Sequence, residues 1–231
     1  LRAQAASSGK PPAGVEKMLL KAARMGVPVG FWRSVGHSHN AFFSESFVDE
    51  LAFATQQDPF VYRTALLSAA PRYLAVLKLA ADKASWGTAL PPGRARGIAL
   101  HESFGSIVAE VAEVSLQGGK PRVHRVVCAI DCGTVINPAT VAQQMESAVI
   151  FGLTAALHGR IDIAEGVVQQ SSFTNYPMVQ LAQAPVVETW VVPSTRAPGG
   201  VGEPGVPPVA PAVANALFAL TGKRQRALPL G

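Results

Sequence analysis

The sequence predicts an α+β fold, with helices packed on a mixed or antiparallel sheet. Three observations predict it. The first ~90 residues read mainly as helices separated by glycine and proline stops. Residues 97–101, 107–116 and 123–130 then read as strands rich in β-branched side chains. In the second of these, Val108, Glu110, Ala112, Val114 and Leu116 alternate with Ala109, Val111, Glu113 and Ser115. Both faces carry apolar residues, the pattern of a sheet covered on both sides.

In chain order, residues 1–14 are rich in Ala, Ser, Gly and Pro and read as a linker or frayed end. A short amphipathic helix is expected over 15–25, stopped by Gly26 and Pro28. Residues 30–40 crowd small, polar and aromatic side chains without a helical or strand period, so a packed loop is expected there, of the kind that often lines a site. A helix over 41–57 carries Phe43, Phe47, Leu51 and Ala54 on one stripe, leaving Glu45, Asp49 and Glu50 for a solvated or interface face. Asp58 caps the next helix with Pro59 at its first position, over 59–69, and another helix follows over 72–85. After the strands, with a hairpin at Gly118-Gly119-Lys120, Asn137-Pro138 starts a helix over 138–157. A second hairpin over 161–170 turns at Glu165-Gly166; a strand over 186–192 and a helix over 209–220 complete the chain. This gives three regions: 1–28, linker and short helix; 29–92, mainly helical; and 93–231, mixed.

Composition narrows the function. Hydrophobic residues make up 48 % of the 231, and charged residues only 15 % against about 25 % in an average soluble domain. Much of the surface is therefore expected to lie against another chain or another part of a longer one. The net charge of +5 is dispersed, without a basic block, which argues against nucleic acid. Apolar runs stop well short of the ~18 residues a membrane span needs. Two cysteines, Cys128 and Cys132, are too few for a disulfide framework and are expected as buried thiols. The chain starts at Leu1 with no signal peptide, which reads as processing or as a piece of something longer.

The stretch with most chemistry is Gly199-Gly200-Val201-Gly202-Glu203-Pro204-Gly205-Val206-Pro207-Pro208. Glycine permits close backbone approach and proline fixes φ, so this is a rigid, tightly shaped loop. Glu203 sits at its centre; the nearest cations in sequence are Arg196 and Lys223. One reading makes Glu203 a charge that favours the following helix N-terminus. The other makes it a partly buried general base with a raised pKa. His37 and His39 resemble a metal pair only weakly, since no third ligand stands at a recognisable spacing.

Four stretches in order resemble one family: Gly30-Phe31-Trp32-Arg33-Ser34-Val35-Gly36; His101-Glu102-Ser103-Phe104-Gly105; Asp131-Cys132-Gly133 through Asn137-Pro138 to Gln144-Met145-Glu146; and Gly200-Val201-Gly202-Glu203-Pro204. The chain resembles the molybdenum-binding large subunit of the xanthine dehydrogenase/aldehyde oxidase family, most nearly the isoquinoline 1-oxidoreductase β-subunit type, over residues 28–231. The resemblance implies the molybdopterin-binding fold of molybdenum hydroxylases, in incomplete form. It implies oxidative hydroxylation of an N-heteroaromatic or an aldehyde with water as the oxygen source. Glu203 matches the catalytic base. Trp32, Arg33, Gln144 and Gly202 match cofactor-contacting positions, and Val35 falls where xanthine dehydrogenases carry a substrate-stacking phenylalanine. Ser147 and Ala148 stand where many members have glycine.

The implied cofactor is the molybdenum cofactor, in its molybdopterin cytosine dinucleotide form, with no metal ligand from the protein itself. The implied partners are a small subunit with [2Fe–2S] clusters, the N-terminal half of the large subunit and a cytochrome c electron acceptor, in a bacterial cytoplasm or periplasm. Family large subunits are roughly three times this long, so a fragment, a truncated product or one half of a split subunit is expected. The alternative is a non-catalytic assembly remnant that cannot hold cofactor alone.

Overall fold

A computed structural model describes residues 30–231. The chain divides into two compact units, Leu1–Trp32 and Arg33–Gly231, and the described helices and strands all belong to the second. The helix expected over 15–25 lies outside the described residues.

Three helices lead: α1 (His37–Ala54), α2 (Pro59–Leu66) and α3 (Pro71–Lys83). The Asp58 carboxylate accepts from the Phe60 and Val61 amides at 2.8 and 3.0 Å, with Pro59 at the first helical position, so α2 starts where its cap dictates. Three strands follow: β1 (Arg94–Ser103), β2 (Ser106–Gln117) and β3 (Lys120–Asp131). Tight turns join them at Phe104-Gly105 and Gly118-Gly119, all four residues at positive φ. Asn137 then caps α4 (Pro138–His158) through the Ala139 and Thr140 amides. A minor hairpin of β4 (Ile163–Ala164) and β5 (Val167–Val168) leads to β6 (Val186–Val191) and finally α5 (Val209–Thr221). The main sheet has the order β1-β2-β3-β6, antiparallel except for the parallel β3–β6 pair, so it is the mixed sheet the sequence predicts.

Helices cover both faces of this sheet. On one face Val76, Leu77, Ala80 and Ala81 of α3 meet Ile98, Ile107, Ala109 and Val111. On the other, α4 and α5 meet Val108, Ala112, Val126 and Ile130 through Met145, Val149, Ala212 and Val213. Burying apolar surface at about 25 cal/mol per Å² makes these two layers the main source of stability. Gly97 is what lets α5 lie directly on β1: a Cβ there would stand 2.2 Å from the Ala212 carbonyl oxygen.

Two expectations are corrected. The loop expected over 30–40 is shorter, because α1 begins at His37 behind Gly36 without a side-chain cap. The buried face of α1 is also inverted. Ala41, Phe42, Ser46, Asp49 and Ala52 face inward, while Phe43 and Phe47 are 62 % and 57 % exposed. The acids expected on a solvated or interface face are ion-paired within the chain. Arg63, 3 % exposed, binds Glu45 at 3.0 Å, Asp49 pairs with Arg224 at 2.5 Å, and Glu50 pairs with Arg226. Those cations lie 18 to 176 residues away in the chain, so no local pattern reveals them.

Glu45 does a second task. Its Oε2 accepts from the Leu100 amide at 2.9 Å, and Asn215 Nδ2 donates to the Ile98 carbonyl at 3.1 Å. Two polar side chains thus cap the outer edge of β1, which blunts it against strand pairing.

Candidate active site

The loop over 199–208 is the last part of the segment that joins β6 to α5 and is pinned on two sides. Its first half leans on the β1–β2 turn: the Gly200 amide donates to the Phe104 carbonyl at 2.8 Å, and Ser106 Oγ donates to the Gly200 carbonyl at 2.6 Å. A Cβ on Gly199 would stand 2.5 Å from Ser106 Oγ, so this contact needs glycine. Its second half leans on α4. A Cβ on Gly205 would stand 2.9 Å from Ala148 Cβ and 3.1 Å from Met145 Sδ, so the close approach at Ala148 is supplied from the loop side.

The segment Arg33–Gly36 closes over the same half. Arg33 Nε donates to the Gly202 carbonyl at 2.9 Å, joined there by Nη2. Its Nη1 donates to Ser147 Oγ at 3.0 Å, Nη2 also approaches Gln144 Oε1 at 3.4 Å, and the guanidinium lies 5.4 Å from the Phe151 ring centre. Burial holds the Arg33 guanidinium below its ordinary pKa, and the charge of Glu203 pulls it back up. The absence of a cation near Glu203 in sequence is therefore not an absence in space.

Glu203 itself is half-buried. Its Oε1 accepts the Ser34 backbone N–H at 2.9 Å, and its own carbonyl accepts Ser34 Oγ at 2.6 Å. Its Oε2 has no hydrogen-bond partner among the described residues.

Arg33, Gln144, Gly202 and Glu203, all singled out from sequence, thus meet in one cradle. Val35 follows Ser34 directly, 40 % exposed and at φ 49. Trp32 is the last residue of the first compact unit. Two members were not singled out as site residues. Ser34, wholly buried at φ 70, is the hinge of the contact with Glu203, and Ser147 completes the grip on Arg33. Their signal in sequence is positional only: Ser34 follows Arg33, and Ser147 lies three residues after Gln144 on the same helix face.

His37 and His39 make no metal pair. His37 Nδ1 lies 2.9 Å from His101 Nε2 and its ring meets Phe104 edge-on. Among the described residues no three His, Cys, Asp or Glu side chains gather to hold a metal.

The donor set suits a polar, anionic planar group. Gln144 Nε2 has no partner among the described residues, the Arg33 guanidinium backs it, and a Cβ at Gly202 would come no closer than 3.7 Å to Gln144 Oε1, so the cradle is open there. Such a group would be held by a free amide donor, a buttressed guanidinium and glycine backbone.

The protein is thus a two-faced mixed sheet with a glycine–proline loop clamped over one flanking helix. The chain belongs to the molybdopterin cofactor-binding domain family, whose model matches residues 62–185. That match takes in the sheet as far as β3 and Gln144 on α4; the Glu203 loop lies beyond it. Among curated proteins, the chain is 36 % identical to the isoquinoline 1-oxidoreductase subunit beta of Brevundimonas diminuta, covering 90 % of this chain and 27 % of that protein. It is 30 % identical to the membrane-bound aldehyde dehydrogenase [pyrroloquinoline-quinone] of Gluconacetobacter polyoxogenes, covering 87 % and 29 %. The chain therefore spans less than a third of the length of these relatives. Among solved structures, the aldehyde oxidoreductase from Desulfovibrio gigas superposes with a TM-score of 0.64 over 86 % of this chain and 40 % of its own, at 12 % identity, a likeness of fold. The fold is thus that of the molybdopterin-binding domains of molybdenum hydroxylases, as the sequence predicts.

Proposed function

We propose that this chain is the base-bearing part of a molybdenum hydroxylase large subunit, which hydroxylates an N-heteroaromatic or an aldehyde with oxygen from water. The observation that carries this is the state of Glu203: one carboxylate oxygen held by the Ser34 amide, the other without a partner, in a cradle that also contains Arg33 and Gln144. The two substrate classes agree with the names of the two curated relatives.

When bound, the molybdenum cofactor supplies two-electron oxidation of the substrate carbon with water-derived oxygen. The rest of the work belongs to the chain. Glu203 takes up a proton at Oε2 while Oε1 stays on the Ser34 amide, so the carboxylate is fixed in the orientation in which it acts. Arg33 locks the Gly202 carbonyl and so fixes the loop. Gln144 would offer its amide donor to the cofactor, in the molybdopterin cytosine dinucleotide form, and Trp32 would add a backbone contact. Val35 forms a small wall of the substrate pocket. Cys128 and Cys132 are buried and too few to hold iron–sulfur clusters, and in this reading a small partner subunit would carry the [2Fe–2S] clusters that accept the electrons. The remainder of the large subunit, and a cytochrome c as electron acceptor, complete the assembly in the cytoplasm or periplasm of a bacterium.

The test is Glu203→Gln in the complete enzyme. Turnover should fall by about 10²–10⁴-fold with molybdenum content unchanged. Normal turnover would sink the assignment.

One observation favours a second reading, a non-catalytic assembly piece: the outward-facing Phe43 and Phe47 of α1. Molybdenum content per chain separates the two, since about one metal per chain supports the enzyme and none supports the assembly piece.

A further inference from the structure

The residue beside Arg33 carries more of the site than any motif assigns to it. Ser34 is completely buried, yet it is a small polar residue at φ 70, a conformation L-residues rarely adopt. Val35 follows at φ 49, and a β-branched residue in that region is a true outlier. Two such residues in succession persist only where their surroundings over-determine them. Here the surroundings are Glu203 itself, bonded through Ser34 N at 2.9 Å and Ser34 Oγ at 2.6 Å, with the chain closed behind by the His37 amide on the Ser34 carbonyl at 3.0 Å.

We propose that Ser34 is the positioning residue of the catalytic carboxylate. Its amide selects one rotamer of Glu203 and its hydroxyl fixes the backbone from which that rotamer springs. The two bonds do different work. The amide bond orients the carboxylate and leaves Oε2 as its oxygen without a partner among the described residues. The hydroxyl bond ties the Glu203 main chain to the Arg33–Gly36 segment, 169 residues away in sequence. Both bonds are made by this chain alone, so the base is oriented before any cofactor is in place. This inference rests on reading Glu203 as the base.

Two measurements test it. In the complete enzyme, Ser34→Ala removes the hydroxyl bond and keeps the amide. Ser34→Gly also relaxes the φ 70 turn, so it serves where Ala is not accommodated. The expected result is a kcat lowered about tenfold in Ala and about a hundredfold in Gly, with KM within about twofold and molybdenum content unchanged. A KM rise at constant kcat, or wild-type kcat in both variants, overturns the role.

The second measurement needs no cofactor: hydrogen exchange by mass spectrometry on the cofactor-free full-length protein. Glu203→Ala should speed exchange at the Ser34 amide and leave β2 peptides unchanged, while Glu203→Gln, which keeps an acceptor oxygen, should preserve protection. Unchanged Ser34 exchange in Glu203→Ala overturns the contact. Normal turnover by Glu203→Gln instead overturns the reading of Glu203 as the base, and with it the catalytic role of Ser34, whatever the exchange shows.

Discussion

Glu110 lies in the middle of β2 with no exposed surface; its Oε1 accepts the Cys128 thiol at 3.5 Å, and its Oε2 meets no partner among the described residues. Burial pushes its pKa well above the ordinary 4.5 and pushes the Cys128 thiol up as well. The consequence for stability has a definite sign. The unfolded chain sheds the Glu110 proton as pH passes about 4.5, while the folded chain keeps it, so stability falls as pH rises above that point. Glu110→Met removes the orphan oxygen at similar volume. It should stabilise the protein by about 1–3 kcal/mol near neutral pH, with the gain shrinking toward pH 4, as read from urea midpoints across that range. At this scale the sequence shows the identity of key residues but not their company. Glu203, Arg33 and Gln144, singled out by motif position, lie together in the fold. Ser34 is not singled out, because a serine after an arginine has no signature until the fold brings a carboxylate onto its amide.

The elements with local punctuation are legible. Asp58-Pro59, Asn137-Pro138 and Gly118-Gly119 act on their own neighbours within three residues, and each sits where its chemistry requires. α1 is not legible, because its buried face is decided by partners from other elements. Asp49 is buried against Arg63 and Arg224, and burial drives its pKa up although both cations pull it down. The phenylalanines that an amphipathic reading would bury face outward instead. The Arg63 cluster therefore carries α1, α2 and the β1 edge together. Arg63→Ala leaves Glu45 and Asp49 short of a cation in a nearly dry site. It should cost about 3–5 kcal/mol in urea unfolding, far more than the ~0–1 kcal/mol expected for the exposed Arg160–Asp162 pair.

Across the whole molecule, the low charge content finds its counterpart in exposed apolar surface. Phe43, Phe47, Ile136, Phe173 and Leu181 are 57–94 % exposed. Isolated residues of this kind are ordinary, but several large ones on one chain mark surfaces that associate. The chain on its own should bind a hydrophobic fluorescent dye and self-associate in light scattering. Both signals should fall when it is co-expressed with the remainder of the large subunit proposed above. Unchanged dye binding in the assembly would place these surfaces in solvent there too. No helix among the described residues is long and apolar enough to cross a membrane.

The bonds from Arg33 and Ser34 to Gly202 and Glu203 join positions 169 residues apart. Closing so long a segment carries a large entropic cost that only contacts made late can offset, and each doubling of length adds about 0.6 kcal/mol. A chain leaving the ribosome can complete α1, the two hairpins and α4 while Arg33 and Ser34 still wait for their partners. The grip on Glu203 is therefore expected to close late in folding, after the local helices and hairpins, and hydrogen-exchange pulse labelling during refolding would read its order of formation.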